Sequence, residues 1–273
     1  MGDYMLKNKL KDNIYRVYKA FNKTEMRVLP GNVAFFFILA LIPIVNMIIF
    51  VVSKFSISVN TVTRFLSRFL PSDVCKIVIN ALSTDSFEGK IGLFSFVVLL
   101  VASNGTYAII NASNTLYKVK NTDIIKNRVK SFILLTILIS LILFVLLVPI
   151  LGERILSLTN NNNLYNNVFV LYKFLKWPIT FFLIYFSLKL IYTISPSMKI
   201  SSSSTTYGAL FTTIIWVIAT LIFSFYLSNF ANYSVIYGNL SNIIVLVIWL
   251  YLISYVFVMG IAINSVYYEE INK

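Results

Sequence analysis

Five residues, Asn104, Tyr107, Asn111, Asn114 and Lys118, recur at steps of three or four. That spacing places them on one face of a helix. All but the last lie in an uncharged run, Ile91–Tyr117, with Ser103 and Ser113 beside them. Amides turned toward lipid would lack partners, so the stripe is expected to face the interior of a helix bundle. Two roles suit it there. One is interhelical glue, at roughly 0.6–2 kcal/mol per contact. The other is one wall of a polar cavity or substrate path.

Other groups could carry charge or hydrogen bonds at depth. Lys189 lies six residues before Ser195, or about 9 Å along a helix. It either snorkels to the interface or serves as an anion-attracting charge in a cavity. The stretch NFANYSVIYGN is uncharged and rich in Asn and Tyr. It suits an aromatic belt at the membrane surface, or a packed turn in which Asn232, Tyr233 and Tyr237 line a pathway. The lone cysteine, Cys75, cannot close an internal disulfide and reads as a small hydrophobe.

Several chemistries are excluded by what is missing. The chain has no histidine, the commonest general base and metal ligand. Every acid lies outside the apolar runs, so no intramembrane carboxylate is available for ion coupling. No Gly-rich phosphate loop occurs. Asp85 with Glu88, and Glu269 with Glu270, lack supporting ligands. No metal, cofactor or catalytic set is expected, and the chain does not read as an enzyme.

The elements that must position these residues are membrane helices. The 273 residues are 58% apolar and 12% charged, with a mean hydropathy of +0.82; a soluble domain is about half apolar and a quarter charged. A crossing needs roughly 20 mainly apolar residues. Six are predicted, over 33–53, 91–117, 131–152, 177–195, 207–228 and 240–267. The first begins after some 30 residues and reads as a retained span, not a cleaved signal. Pro43 lies in its middle and should kink it, since proline removes a backbone donor and crowds the carbonyl of Leu39. Residues 54–90 hold two short amphipathic segments, too charged to cross. Residues 269–273 form a tail.

Before the first span, Leu6, Leu10, Ile14, Val17 and Phe21 share a helical face, and Lys7, Lys9, Lys11, Arg16, Lys19 and Lys23 cover much of the rest. Residues 1–30 therefore read as a basic amphipathic helix lying on the membrane surface. The expected class is all-α: an integral membrane bundle of six helices, residues 31–268, with that interfacial helix in front. The net charge of +13 would suggest nucleic acid in a soluble protein. Here it points to anionic headgroups as the partner. With both termini inside, cytoplasmic segments hold 15 of the 23 basic residues, as the positive-inside tendency requires.

The last two spans carry a resemblance. Gly208, Ala209, Trp216, Phe225, Tyr226, Tyr233, Ser234, Tyr237, Gly238, Trp249, Leu250, Tyr251, Gly260 and Asn264 match the signature region of the YihY/BrkB family. Upstream, Gly105, Asn114 and Tyr117 resemble its second-span motif, and AFFFILALIP resembles its first. The resemblance covers most of residues 25–268. It implies a six-helix inner-membrane protein of bacteria, and no settled activity. Members are described as transporters or virulence-associated membrane proteins, and some carry a ribonuclease label that no residue here supports. Ala262 stands where members often have an acidic or amide residue, which puts any mechanism using that side chain in doubt.

Two functions follow as expectations. The favoured one is a transport protein, passive, exchanging or lipid-moving, for an amphiphilic or anionic substrate. The other is a membrane protein that organises envelope partners and has no transport path.

Overall fold

The computed structural model describes residues 14–40, 91–120, 123–157, 162–229 and 241–271. Among them there are helices and no strands. Helix α1 spans 14–21, and a 3-10 turn, Thr24–Arg27, leads into α2, Leu29–Ala40. Helix α3 is Ile91–Leu116, α4 is Ile124–Ser157, α5 is Asn162–Ile194, α6 is Thr206–Asn229 and α7 is Ser241–Ile271. The all-helical class is as expected. The windows Thr206–Phe223 and Ile243–Ile271 are long and apolar enough to cross a membrane. Pro43, Cys75, Asn232, Tyr233 and Tyr237, and the segments 1–13 and 54–90, lie outside the described residues.

Consecutive helices from α3 to α7 pack side by side, and α7 returns to α3. Helix α2 meets α3 at Gly105, where an added Cβ would stand 3.3 Å from the Ala40 Cβ. It meets α7 through Phe37 and Phe257, whose ring centroids are 6.4 Å apart. Phe257 is a hub, with Tyr192 at 5.0 Å and Trp216 at 6.2 Å.

Polar and apolar side chains both lie inside the bundle, and large apolar side chains also cover its outside. Ser103, Thr106, Ser113, Ser195, Thr212, Ser254 and Asn264 are buried. Phe182, Phe186, Leu221, Ile222 and Phe225 stand more than half exposed. Hydroxyls and amides inside with large apolar side chains outside is what a lipid environment selects.

Two helices are longer than their expected spans. α4 has 34 residues and α5 has 33, roughly 50 Å each at 1.5 Å per residue. Charges such as Glu153, Arg154, Lys173 and Lys176 interrupt the hydropathy but not the helix, so both run past the apolar stretches. Only four residues of sequence separate them. Pro178 lies within α5.

Candidate functional site

The described polar residues gather at the end of the bundle where α3 stops, α4 starts and α5 turns into α6. Helix α3 ends in a left-handed residue: Lys118 has φ 54°. The Val119 N–H donates to the Asn114 carbonyl at 2.8 Å and the Lys118 N–H to the Thr115 carbonyl at 3.1 Å. This pair of bonds is a Schellman cap, usually built on glycine. Asp123 then starts α4, its carboxylate accepting from the Ile125 and Lys126 N–H groups at 3.0 and 3.2 Å. These bonds, with the nearby Lys126 ammonium, hold its carboxyl below the usual range.

This hairpin delivers Asn114 to the α5–α6 turn. Its amide oxygen accepts the Ser197 N–H at 2.7 Å, and its amide nitrogen donates to the Ser197 hydroxyl at 2.9 Å. That hydroxyl donates onward to the Asn127 amide oxygen at 2.6 Å. Alongside, the Ser113 and Ser195 hydroxyls are 2.8 Å apart, and the Lys130 ammonium donates to the Pro196 carbonyl at 2.9 Å. Three helices are fastened through one turn, and both functional ends of the Asn114 amide are occupied.

Farther up α3 the arrangement differs. The Arg128 guanidinium folds back from α4 onto the middle of α3. Its Nη1 donates to the Asn104 amide oxygen at 2.8 Å and its Nη2 to the Leu100 carbonyl at 3.2 Å. The Tyr107 and Phe132 rings lie 5.9 and 5.6 Å from its Cζ, within cation–π reach. No carboxylate among the described residues pairs with it. Around it Ile125, Val129 and Ile133 of α4 and Val101 of α3 are exposed. A charged fork thus sits beside an apolar outer surface.

The five stripe residues therefore go to different places. Asn104 and Tyr107 hold Arg128, and Asn114 fastens the turn. Asn111 is exposed, its carbonyl accepting from Thr115 Oγ1 at 2.9 Å. Lys118 is exposed with its ammonium 3.5 Å from the Glu269 carboxylate. Lys189 is half-buried on α5, 6.0 Å from the Tyr185 ring centre and beside exposed Phe186 and Leu190. None of its contacts among the described residues brings it to the stripe.

The sequence does not single out Arg128, Asn127 or Ser197, and it places Arg16 and Lys23 only on the charged side of an amphipathic helix. Arg128 stands 24 positions from Asn104. The register of the hairpin was needed to see it. Lys23 is held at the ends of two helices. It donates to Ser265 Oγ at 2.8 Å and to the Leu116 carbonyl at 3.4 Å, and lies 3.5 Å from Glu269. Burial pushes its pKa down, outweighing the attraction of Glu269.

The signature residues of the last two helices are packing residues. An added Cβ at Gly208 would collide with the Gly260 carbonyl and the Asn264 amide, and one at Gly260 with the Thr212 and Tyr192 hydroxyls. The Gly208 N–H donates to the Asn264 amide oxygen at 2.7 Å. The Tyr192 hydroxyl lies 2.8 Å from that of Thr212 and donates to the Phe257 carbonyl at 2.9 Å. Trp216 Nε1 donates to the Ile253 carbonyl at 3.1 Å. Small residues let α6 and α7 approach closely, and the hydrogen bonds lock them.

Known proteins resemble this chain in sequence. The family described as virulence factor BrkB matches residues 17–273. A ribonuclease-like protein, YfkH, of Bacillus subtilis (strain 168) is 30% identical over 245 residues, covering 88% of this chain and 89% of its own. A UPF0761 membrane protein of Haemophilus influenzae (strain 86-028NP) is 22% identical over 258 residues, 91% and 92% of the two chains. A UPF0761 membrane protein of Coxiella burnetii (strain Dugway 5J108-111) is 33% identical over 94 residues, 34% of each. No solved structure matches. The matched region takes in the Asn114 fastening, the Arg128 fork and the Gly208–Gly260–Asn264 lock, and the chain belongs to the virulence factor BrkB family of membrane proteins.

Proposed function

We propose that this membrane protein crosses the bacterial inner membrane six times, with both termini cytoplasmic, and moves an anionic amphiphile. The observation that carries this is Arg128. A guanidinium stays charged at any physiological pH. Arg128 itself lies in the first turns of α4, before the predicted span 131–152, and its guanidinium folds onto the middle of α3; at the centre of a membrane helix such a charge would cost about 2.5–3.5 kcal/mol on insertion scales. Asn104 and the Leu100 carbonyl satisfy two of its five donors without neutralising it. An anionic group would complete the site, and the exposed Val101, Val129 and Ile133 give its apolar part a surface to follow. Lys189 is a second cation that a passing anion could meet.

The test is lipid translocation by the full-length chain in vesicles of phosphatidylcholine. Fluorescent phosphatidylglycerol should cross faster than fluorescent phosphatidylcholine, and Arg128→Gln should remove the difference while the purified variant keeps its wild-type unfolding temperature. Equal rates for both lipids, or an unchanged rate in Arg128→Gln, would refute the reading.

A second reading, an envelope organiser without a path, is favoured by one observation. Asn114, Ser197 and Asn127 satisfy one another completely, so that part of the stripe serves as a fastening. A ribonuclease activity, as the name of the Bacillus subtilis relative suggests for that protein, finds no support here. The chain lacks histidine, and the described residues contain no group of three metal-binding side chains.

A further inference from the structure

Helix α1 wears its charge on the inside. Arg16, Val17, Ala20 and Lys23, at helical spacing, face the bundle. Ala20 is fully buried, and Val17 packs on the core. Arg16 Nε donates to the Glu270 carboxylate at 2.8 Å, and its guanidinium lies over the Tyr267 and Tyr207 rings at 4.6 and 5.4 Å. Lys23 reaches Ser265, Leu116 and Glu269 as described above. The opposite stripe is Ile14, Tyr18 and Phe21, exposed by 69, 67 and 55%, with Tyr15 beside it at 58%. Beyond extended Lys23 and the 3-10 turn that separate α1 from α2, Val28, Phe35 and Leu39 are exposed as well.

A helix facing water would turn the other way, with cations out and rings in. The cations need no water here, because Glu269 and Glu270 partner them. The outward rings include two tyrosines, the side chain that favours the headgroup boundary. Phe35 and Leu39 of α2 also lie on the outside of the bundle. From these observations we infer that α1 lies in the bilayer interface, with Ile14, Tyr15, Tyr18 and Phe21 against the lipid. The occupant of this face is the lipid surface itself. This corrects the sequence expectation in detail. Val17 does not share the lipid face with Ile14 and Phe21, and Arg16 and Lys23 are turned to protein, away from headgroups. It follows that α1 ties the lipid surface to three helix ends, through Leu116 of α3, Tyr207 of α6 and Ser265, Glu269 and Glu270 of α7.

The test uses the full-length chain with Cys75→Ser and single cysteines Tyr18→Cys or Phe21→Cys. Tyr18 and Phe21 are more than half exposed, Phe21 also meeting the Tyr255 ring at 6.4 Å, so a label at 18 should leave the fold intact and one at 21 costs at most that ring contact, and Asn22→Cys gives a nearby exposed comparison. The cysteines are labelled with bimane in vesicles of phosphatidylcholine and phosphatidylglycerol. Lipids carrying a doxyl group should quench the labels at 18 and 21 strongly, and aqueous iodide should barely touch them. Quenching by iodide with no effect of doxyl lipid would overturn the inference, because the face would then be in water. Shielding from both quenchers, with disulfide formation between copies at position 18, would overturn it in favour of a contact between two chains.

Discussion

If Asn114 fastens three helices through the α5–α6 turn, removing its amide should cost far more than removing a surface asparagine. Asn114→Ala deletes the acceptor of the Ser197 N–H and the donor to the Ser197 hydroxyl. A backbone N–H stranded away from water costs about 1–3 kcal/mol, and an interhelical side-chain bond in a membrane protein about 0.6–2 kcal/mol. The sum is about 2–5 kcal/mol, because the side chain is nearly fully buried and little water can replace it. Unfolding of the purified chain in mixed micelles of rising dodecyl sulfate content gives the numbers. A double-mutant cycle with Ser197→Ala isolates the coupling, which should be about 1 kcal/mol for directly bonded partners. Asn111→Ala, at an exposed position on the same helix, should stay within about 0.5 kcal/mol of the wild type. The fastening is refuted if Asn114→Ala is no more destabilising than Asn111→Ala, or if the effects at 114 and 197 simply add.

The glycine lock makes a contrasting pair. Gly260→Ala forces a methyl group into the Thr212 and Tyr192 hydroxyls and should destabilise by about 1–3 kcal/mol or more. Gly31→Ala, whose nearest neighbour would be a Tyr251 ring carbon at 4.0 Å, should be tolerated in the same unfolding assay. Lys23 predicts a pH dependence. Its folded-state pKa lies below its ordinary value of 10.5, so between the two the unfolded chain holds more protons. Stability from this group should therefore rise with pH as it climbs toward 10.5. Lys23→Met should flatten that rise, measured as unfolding temperature against pH.

The class of the fold was legible because hydropathy is a property of composition and run length, and α6 and α7 contain long uncharged runs. The ends of α4 and α5 were not, because charged residues stop an apolar window without stopping a helix. The stripe on α3 was visible as a spacing, yet its division was not. Asn114 meets residue 197 and Asn104 meets residue 128, and no local pattern encodes those registers. The family signature was readable as letters long before its role was. Gly208, Gly260 and Asn264 only make sense once α6 and α7 are seen to touch backbone to backbone.

The fold of Arg128 back onto α3 also bears on how the chain is made. Helix α3 is synthesised before α4, so Asn104 and the Leu100 carbonyl are already in place when the arginine emerges. An arginine entering lipid alone would face the full penalty for its charge, whereas one entering beside α3 meets two hydrogen-bond acceptors and two aromatic faces at once. If α3 and α4 both enter the bilayer, these contacts favour their entering as a pair, since only seven residues separate the end of α3 at Leu116 from the start of α4 at Ile124. On that reading α4 would insert more readily beside α3 than alone.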